Sequence, residues 1–305
     1  MPLETDLNKV PYYDDFDETN NYYRLLFRPA TAVQARELTQ MQSIQQDQIE
    51  KLGGHLFVDG SVIDGCSLSF DTNVNYLKLT DNYQNGAAVS TVDLDGKYLR
   101  STSNLYAYVV TSYEGSEGSS PDLKTLYIKY TNSGLYTNGT QQSIFNADDT
   151  LTVLTSANVN FATVTVANSS MTPTGNGFVA SISDGKIFHK GTFIRVAEQN
   201  IVVSKYDANP NNVSIGFTTK EEIITPEIDV SLLDNAQGSF NYNAPGSHRL
   251  KLTPLLSVRT TDSVSTTNTT NFFTIATFVD GKANRILTDP QYANLGNELA
   301  RRTYE

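Results

Sequence analysis

The sequence contains one cysteine, three histidines and no tryptophan in 305 residues. A single cysteine, Cys66, excludes an internal disulfide, and its apolar surroundings predict a buried structural thiol. The histidines, His55, His189 and His248, have no second ligand at metal-site spacing. One histidine near the axis of a trimer could still bind a metal in three copies. We otherwise predict neither a metal site nor a cofactor.

Charged residues are scarce and mostly acidic. They make up 18% of the chain, and the net charge is −11. An acidic surface repels phosphate backbones, so we expect no nucleic-acid partner. No apolar run is long enough to span a membrane, and the segment MPLETDLNKV lacks the apolar core of a signal peptide. We therefore expect folding in a cytoplasm, where a viral structural protein is also made.

Motifs of common enzymes are also missing. The sequence has no G-x-S-x-G elbow, no phosphate-binding Walker A motif and no G-x-G-x-x-G turn between a strand and a helix. The neighbouring carboxylates Glu221 and Glu222 are typical of a strand edge and do not suggest a glycosidase pair. We predict that the protein is not an enzyme and that it has no catalytic residues.

Alternating apolar and polar residues indicate β-strands over most of the chain. Clear examples are 77–79, 126–130 and 161–166. The intervals between strands are too short for helical crossovers, so we predict mainly antiparallel sandwich or barrel-like domains. Turn signals separate the strands at Asp59-Gly60, Asp64-Gly65, Asn85-Gly86, Asp95-Gly96, Asn138-Gly139, Asp184-Gly185 and Asp280-Gly281.

Residues 1–30 are predicted to form an extended anchoring arm, because prolines oppose a helix there. Large side chains left in water would each forgo roughly 1.5–3 kcal/mol, so we expect burial against another copy or subunit. The acidic group at 14–18 is predicted to be a solvated turn; a calcium site is the alternative, although the ordered liganding pattern is absent. The large side chains are Tyr12, Tyr13, Phe16, Tyr22, Tyr23, Leu25, Leu26 and Phe27.

One strong helix is predicted over 31–52, with Thr31 as its N-cap and Gly53-Gly54 as its stop. Glutamines inside its apolar stripe suit a symmetric bundle, where copies of one amide hydrogen-bond each other. We therefore predict a homo-oligomeric seam, most simply threefold; the alternative is a helix packed on its own β core. The stripe contains Gln34, Ala35, Leu38, Met41, Gln45, Ile49 and Leu52.

Composition changes predict the order of domains. A helix region at 31–55 is followed by a main β domain from 56–70 plus 178–282, with an inserted β domain at 71–177. The last segment, 283–305, is predicted to be helical and to lead to a possible continuation past Glu305. Its N-cap would be Asp289-Pro290, and its helical spacing comes from Tyr292, Leu295 and Leu299.

Several segments resemble one family of cyanophage structural proteins, which carry an N-terminal domain of uncharacterised function and include tail, baseplate and fibre-like proteins. The resemblance covers both ends and the second β half, while 71–177 is similar only loosely. The matching segments are PYYDDFD at 11–17, YYR at 22–24, FRP at 27–29, VQARELTQ at 33–40, GSVIDGC at 60–66, GKIFHKG at 185–191, SLLDNAQG at 231–238, NAPGSHRLK at 243–251 and ELARRTYE at 298–305.

This resemblance implies a non-enzymatic virion component of a bacteriophage tail, baseplate or fibre-attachment apparatus. Its expected partners are its own copies, as a homotrimer, and other tail, baseplate or fibre proteins. Two alternatives stay open: a receptor-binding module for host glycans, and a tail-associated depolymerase. The motif at 234–251 is predicted to be a structural corner, with turns at Gly238, Pro245 and Gly246.

Overall fold

A computed structural model describes residues 3–84, 86–115, 123–136, 138–210, 212–260, 271–287 and 294–304. The chain is mainly β, its sheets are antiparallel, and it has one long and one short α-helix, as predicted. The helices are α1 (Ala35–Leu56) and α2 (Asn294–Tyr304), with short 3-10 turns at Glu18–Asn20, Thr91–Leu94, Ser169–Met171 and Val230–Leu232.

The structure contains eighteen strands among the residues that it describes. In chain order they are β1 (Ser61–Gly65), β2 (Leu68–Gln84), β3 (Ala87–Ala88), β4 (Tyr98–Arg100), β5 (Tyr106–Tyr113), β6 (Thr125–Tyr130), β7 (Gly134–Leu135), β8 (Gln141–Gln142), β9 (Thr150–Leu154), β10 (Asn160–Val166), β11 (Thr174–Ile182), β12 (Gly185–His189), β13 (Thr192–Val196), β14 (Gln199–Ser204), β15 (Val213–Ile224), β16 (Arg249–Thr260), β17 (Phe272–Val279) and β18 (Lys282–Ile286).

Six strands close into a barrel. Going around it, β10 pairs with β9, then come β4, β5, β6 and β2, and β2 pairs again with β10. Closure removes the free edges that an open sheet would expose. The interior is apolar. Its fully buried residues include Leu77, Leu94, Leu99, Leu105, Val109, Leu126, Ile128, Leu151, Val153 and Val164.

A second core lies beside the barrel. The long strand β2 leaves the barrel to pair with β11, and β11 pairs with β14. These strands pack with the three-stranded sheet β1-β12-β13 and the four-stranded sheet β16-β15-β17-β18 around Phe178, Phe217, Phe273 and Phe278. Because β2 and β11 cross the predicted boundaries at 71 and 178, the division into domains stays a prediction.

The predicted ends of the long helix are wrong. The helix begins at Ala35, and its N-cap is Gln34, whose backbone N–H donates to the Glu37 carboxylate at 2.8 Å. It also continues through both glycines to Leu56, because Gly53 is buried under the ring of Phe188. The tertiary contact there outweighs the tendency of glycine to end a helix.

The C-terminal segment begins as a strand rather than a helix. Strand β18 occupies Lys282–Ile286, and α2 then lies beside α1. The predicted N-cap at Asp289-Pro290 and the position Tyr292 lie outside the described residues.

The predicted turns are observed at six of the seven glycines, which have positive φ. The exception is Gly185, which lies within β12 and is not among the glycines with positive φ. It packs so closely on the strand β1 end that an added Cβ would lie 2.4 Å from the backbone N of Cys66. Glycine is therefore needed there for close approach, not for left-handed geometry.

The two adjacent glycines of α1 give a matched pair of substitutions. We expect Gly53→Ala to lower the free energy of unfolding by about 1–3 kcal/mol, because its Cβ would lie 2.3 Å from the Phe188 ring. Gly54→Ala has open space around it and should raise the free energy by about 0.5–1 kcal/mol. Urea unfolding followed by circular dichroism checks both. Equal effects of the two substitutions would contradict the packing described here.

Candidate functional site

The stripe on α1 faces solvent in the single chain. Leu38, Met41, Ile49 and Leu52 are 41–64% exposed. Gln34, Ala35 and Gln45 are exposed as well. The alternative of a helix buried through this stripe on its own β core is therefore not what the fold shows. We call these seven residues the α1 stripe.

The opposite face of α1 binds the arm. Ser43 donates a short hydrogen bond to Asp14, and Arg36 forms an ion pair with Asp15 at 3.0 Å. Farther along, Lys51 pairs with Glu18 at 3.0 Å. At about 100° per residue, the three helix positions lie on the side of α1 away from the stripe. The helix thus holds the arm on one face and leaves its apolar stripe free.

The acidic group of the arm is only partly the predicted solvated turn. Asp15, Asp17 and Glu18 are exposed, and Asp17 accepts from the backbone N–H of Thr19 at 2.9 Å. Asp14, however, is buried against Ser43, so the prediction is wrong for that residue. Sequence reasoning missed this contact because the hydroxyl partner lies in another element.

The large side chains of the arm are mostly uncovered in the single chain. Tyr12 and Phe16 are half-buried. Tyr13, Tyr22, Tyr23 and Phe27 are 48–80% exposed. Their burial against a partner stays a prediction, and the single chain leaves these surfaces available for it.

The start of the arm is fixed at a buried ion pair, which we call the Glu221 hub. The Lys190 ammonium donates to the Glu221 carboxylate, and both side chains are at most 6% exposed. The backbone N–H groups of Glu4 and Thr5 donate to the same carboxylate at 2.9 and 2.8 Å. Glu221, predicted as an ordinary strand-edge charge, therefore joins three elements.

The Glu221 carboxylate of the hub is charged at neutral pH. Burial alone would raise the pKa of Glu221, but hydrogen bonds from Lys190, Thr5 and Glu4 lower that pKa to about 2. Next to it, the ring of the buried His189 lies 3.1 Å from Asp59. Burial opposes ionisation of Asp59 too, yet the contact with His189 lowers its pKa. Both carboxylates are charged at neutral pH and act as structural anchors.

A second anchor for the arm lies at the end of the long connection between β15 and β16, residues 225–248, which we call the excursion. Tyr12 forms a hydrogen bond of 2.6 Å with His248. Within the excursion, Asp234 caps the backbone N–H of Ala236 at 2.8 Å, and Gly238 has positive φ. These contacts are the turns expected for a structural corner.

The segments that carry the family resemblance meet in space. Strand β1, from the segment 60–66, pairs with β12, from the segment 185–191, with Ser61 opposite Phe188. The segments 231–238 and 243–251 meet through a bridge between Leu233 and Pro245. The arm contacts His248 through Tyr12 and contacts α1 through Asp14 and Asp15, so the segment 11–17 lies between the segment 243–251 and the helix.

The remaining candidate residues are the cysteine and the possible metal ligands. Cys66 is buried, and burial raises the pKa of its thiol to about 11. Within the described ranges, no group of three His, Cys, Asp or Glu side chains has an arrangement suited to a metal ion. In the same ranges, no helix combines the length and apolar character that crossing a membrane requires.

Comparison with known proteins places the chain in a family. A family model described as Domain of unknown function (DUF4815) matches residues 10–94 and 166–305. These residues contain most of the arm, α1, the excursion and α2. The unmatched residues between them supply β4 to β9 and nearly all of β10, which is most of the barrel. No curated protein and no solved structure matches the chain.

The Glu221 hub predicts a pH-dependent contribution to stability. We expect Glu221→Gln to lower the free energy of unfolding by about 3–5 kcal/mol at pH 7, because Lys190 would keep a buried charge without its partner. Since folding lowers the pKa of Glu221 from 4.5 to about 2, its contribution is complete above pH 4.5 and is lost as the pH falls towards 2. The difference between wild type and variant should therefore narrow below pH 4.5.

The neighbouring residue supplies the control for this measurement. Glu222 pairs with Lys220 at the surface, with side chains 35% and 57% exposed. We expect Glu222→Gln to change the free energy by no more than about 0.5 kcal/mol. Urea unfolding at pH 7, 4 and 3 distinguishes the two variants. A similar loss in both, or a loss for Glu221→Gln that does not depend on pH, would contradict the role of the hub.

Proposed function

The chain belongs to the family described as Domain of unknown function (DUF4815), and we propose that it is a non-enzymatic structural component of a bacteriophage tail, baseplate or fibre-attachment apparatus. The proposal is based on the surface of the chain itself. The protein assembles as a homotrimer through α1, and its arm connects it to a neighbouring subunit, either another copy or another tail protein. The observation that carries this proposal is the α1 stripe, which is apolar and exposed while the opposite face of the same helix is occupied.

The chemistry of the α1 stripe supports contact between copies. The chain has a net charge of −11, so most contacts between two copies would bring carboxylates together. The seven stripe residues carry no charge. The charged residues Arg36, Asp47 and Lys51 lie towards the arm, where each has an ion-pair partner. Three copies can therefore meet along this face without electrostatic repulsion in the seam.

The two glutamines fit a symmetric contact better than a contact with an unrelated apolar surface. A buried amide without a partner costs about 1–3 kcal/mol. At a threefold axis, Gln34 and Gln45 of one copy meet the same residues of the others, and each amide both donates and accepts. The seam formed by Leu38, Met41 and Leu52 supplies the apolar contacts between these layers.

The arm supports a connecting role. Its first part is held by the Glu221 hub and by His248, while its large side chains at Tyr13, Tyr22, Tyr23 and Phe27 remain exposed. An element that is fixed at one end and apolar at the other is suited to join subunits. The similarity of 11–17, 22–24 and 27–29 to cyanophage tail, baseplate and fibre-like proteins favours a virion as the place of assembly.

A double substitution in the α1 stripe tests the trimer. We expect the wild-type protein to have three times the chain mass of 33.6 kDa in light scattering. Leu38→Asp with Met41→Asp places six carboxylates in the seam and should yield a folded monomer. The control is Val92→Asp with Val159→Asp, at exposed positions outside α1, which should keep the trimer. A wild-type monomer, or a trimer in both variants, would count against the seam.

The location in a virion is tested separately. Mass spectrometry of purified phage particles should detect the protein in a copy number divisible by three. Gold-labelled antibodies against the chain should bind the tail and leave the head unlabelled. Absence of the protein from purified particles would overturn the proposed location, whatever the oligomeric state in solution.

A further inference from the structure

The excursion between β15 and β16 is an exposed platform with an ordered backbone. The backbone N–H of Asp234 donates to the carbonyl of Ala244 at 2.9 Å, and the N–H of Asn243 donates back to Asp234 at 2.9 Å. A third hydrogen bond, from Gly246 to Leu232, is 3.0 Å long. Residues bonded in this way hold one shape, so the excursion is a preformed surface rather than a loose loop.

Large apolar side chains stand on this platform. Phe240 is fully exposed, Val230 is 73% exposed and Ile228 is 68% exposed. Turn chemistry explains the glycine, proline and asparagine residues of the excursion, but it does not explain a phenylalanine in solvent. Large apolar side chains that are exposed on one hydrogen-bonded segment indicate a contact with another protein segment.

The charge of the platform defines the kind of partner. Between residues 225 and 247 the sequence contains the carboxylates Glu227, Asp229 and Asp234 and no lysine or arginine. Glu227 and Asp229 are exposed beside Ile228 and Val230. A complementary segment therefore needs large apolar side chains and positive charge.

The arm contains such a segment at residues 22–28, YYRLLFR. It carries Arg24 and Arg28 and no acidic residue, in contrast to the acidic part of the arm before it. Tyr23 and Leu26 are each 80% exposed. Among the described residues, the backbone of 22–27 forms no hydrogen bond with the rest of the chain. The segment is extended and uncovered, and its apolar and charged groups complement those of the platform.

We infer that residues 22–28 of one copy dock on residues 225–247 of the excursion of a neighbouring copy. This inference rests on the assembly role proposed above and identifies the partner of the arm. Within one chain the arm passes His248 at the foot of the excursion and then follows α1, held by Glu18 and Lys51. Both surfaces remain exposed in the single chain, so their contact joins two copies. Such head-to-tail contacts close into a ring in a cyclic trimer.

A charge exchange tests the docking in the full-length protein. We expect Arg24→Glu and Glu227→Lys each to raise the protein concentration at which the trimer dissociates by roughly tenfold. The double variant should return to within about threefold of wild type, because the opposite charges again face each other. Lys282→Glu reverses an exposed charge in β18 and should leave the trimer unchanged. The docking would be overturned if the single charge reversals had no effect, or if the trimer of the double variant dissociated more readily than the trimers of both single variants.

Cross-linking between copies provides the second test. Two versions of the chain are co-expressed: one carries Tyr23→Cys and one affinity tag, and the other carries Phe240→Cys and a different tag. The native Cys66 is buried and does not compete for disulfide formation. Under mild oxidation we expect a disulfide between differently tagged chains. A pair of Tyr23→Cys and Val92→Cys serves as the control and should remain uncross-linked. A trimer that gives no disulfide between the two tags refutes the docking and leaves the proposed function intact, whereas the absence of any oligomer refutes both.

Discussion

The buried ion pair between Lys190 and Glu221 determines how the parts of this protein sit relative to one another. Lys190 lies in the turn between β12 and β13, and Glu221 lies on β15. The same carboxylate receives the N–H groups of Glu4 and Thr5. Through Asp59, which accepts from the backbone of Lys190 at 2.9 Å, the exit of α1 is tied to the same place. A buried ion pair adds little net stability, but it penalises every arrangement that separates its members.

Along the arm and α1, the polar groups make contacts within the chain, whereas most of the large apolar groups remain exposed. Within the chain, two backbone amides of the arm donate to the Glu221 carboxylate. Three arm carboxylates, Asp14, Asp15 and Glu18, bind Ser43, Arg36 and Lys51 of α1. Exposed ion pairs of this kind contribute little energy, yet they fix direction. The apolar groups of the arm and the α1 stripe are left outside. The fold of one copy thus leaves exposed the apolar surfaces on which the proposed assembly depends.

The barrel is organised independently of these surfaces. Its core is separate from the core around Phe217 and Phe273. Strand β2 contributes residues to both, and a small third cluster contains Tyr127 of β6 and Val179 of β11. Its interior is lined by buried apolar side chains such as Leu99, Leu126 and Val153. Most of the barrel also lies outside the residues that match the family. The arm, α1 and the excursion are therefore the common part, and they are the part on which the proposed assembly depends.

Local patterns in the sequence determined the class of the fold. Period-two alternation and Asp-Gly or Asn-Gly pairs act over a few residues, so the antiparallel strands and turns such as Gly60 and Gly96 were predictable. The α1 stripe was also predictable, because its spacing repeats within one helix. The exposure of that stripe followed from the sequence only as one of two alternatives.

Contacts between distant residues decided the rest. Phe188 covers Gly53 and lets α1 continue, Ser43 buries Asp14, and Lys190 converts Glu221 from a surface charge into an anchor. The barrel closes only because β2 is long enough to reach β10. None of these partners is near in sequence, and neither burial nor charge compensation has a local signature. Side-chain type alone therefore could not tell an exposed carboxylate from a buried one, and only the tertiary structure supplied the difference.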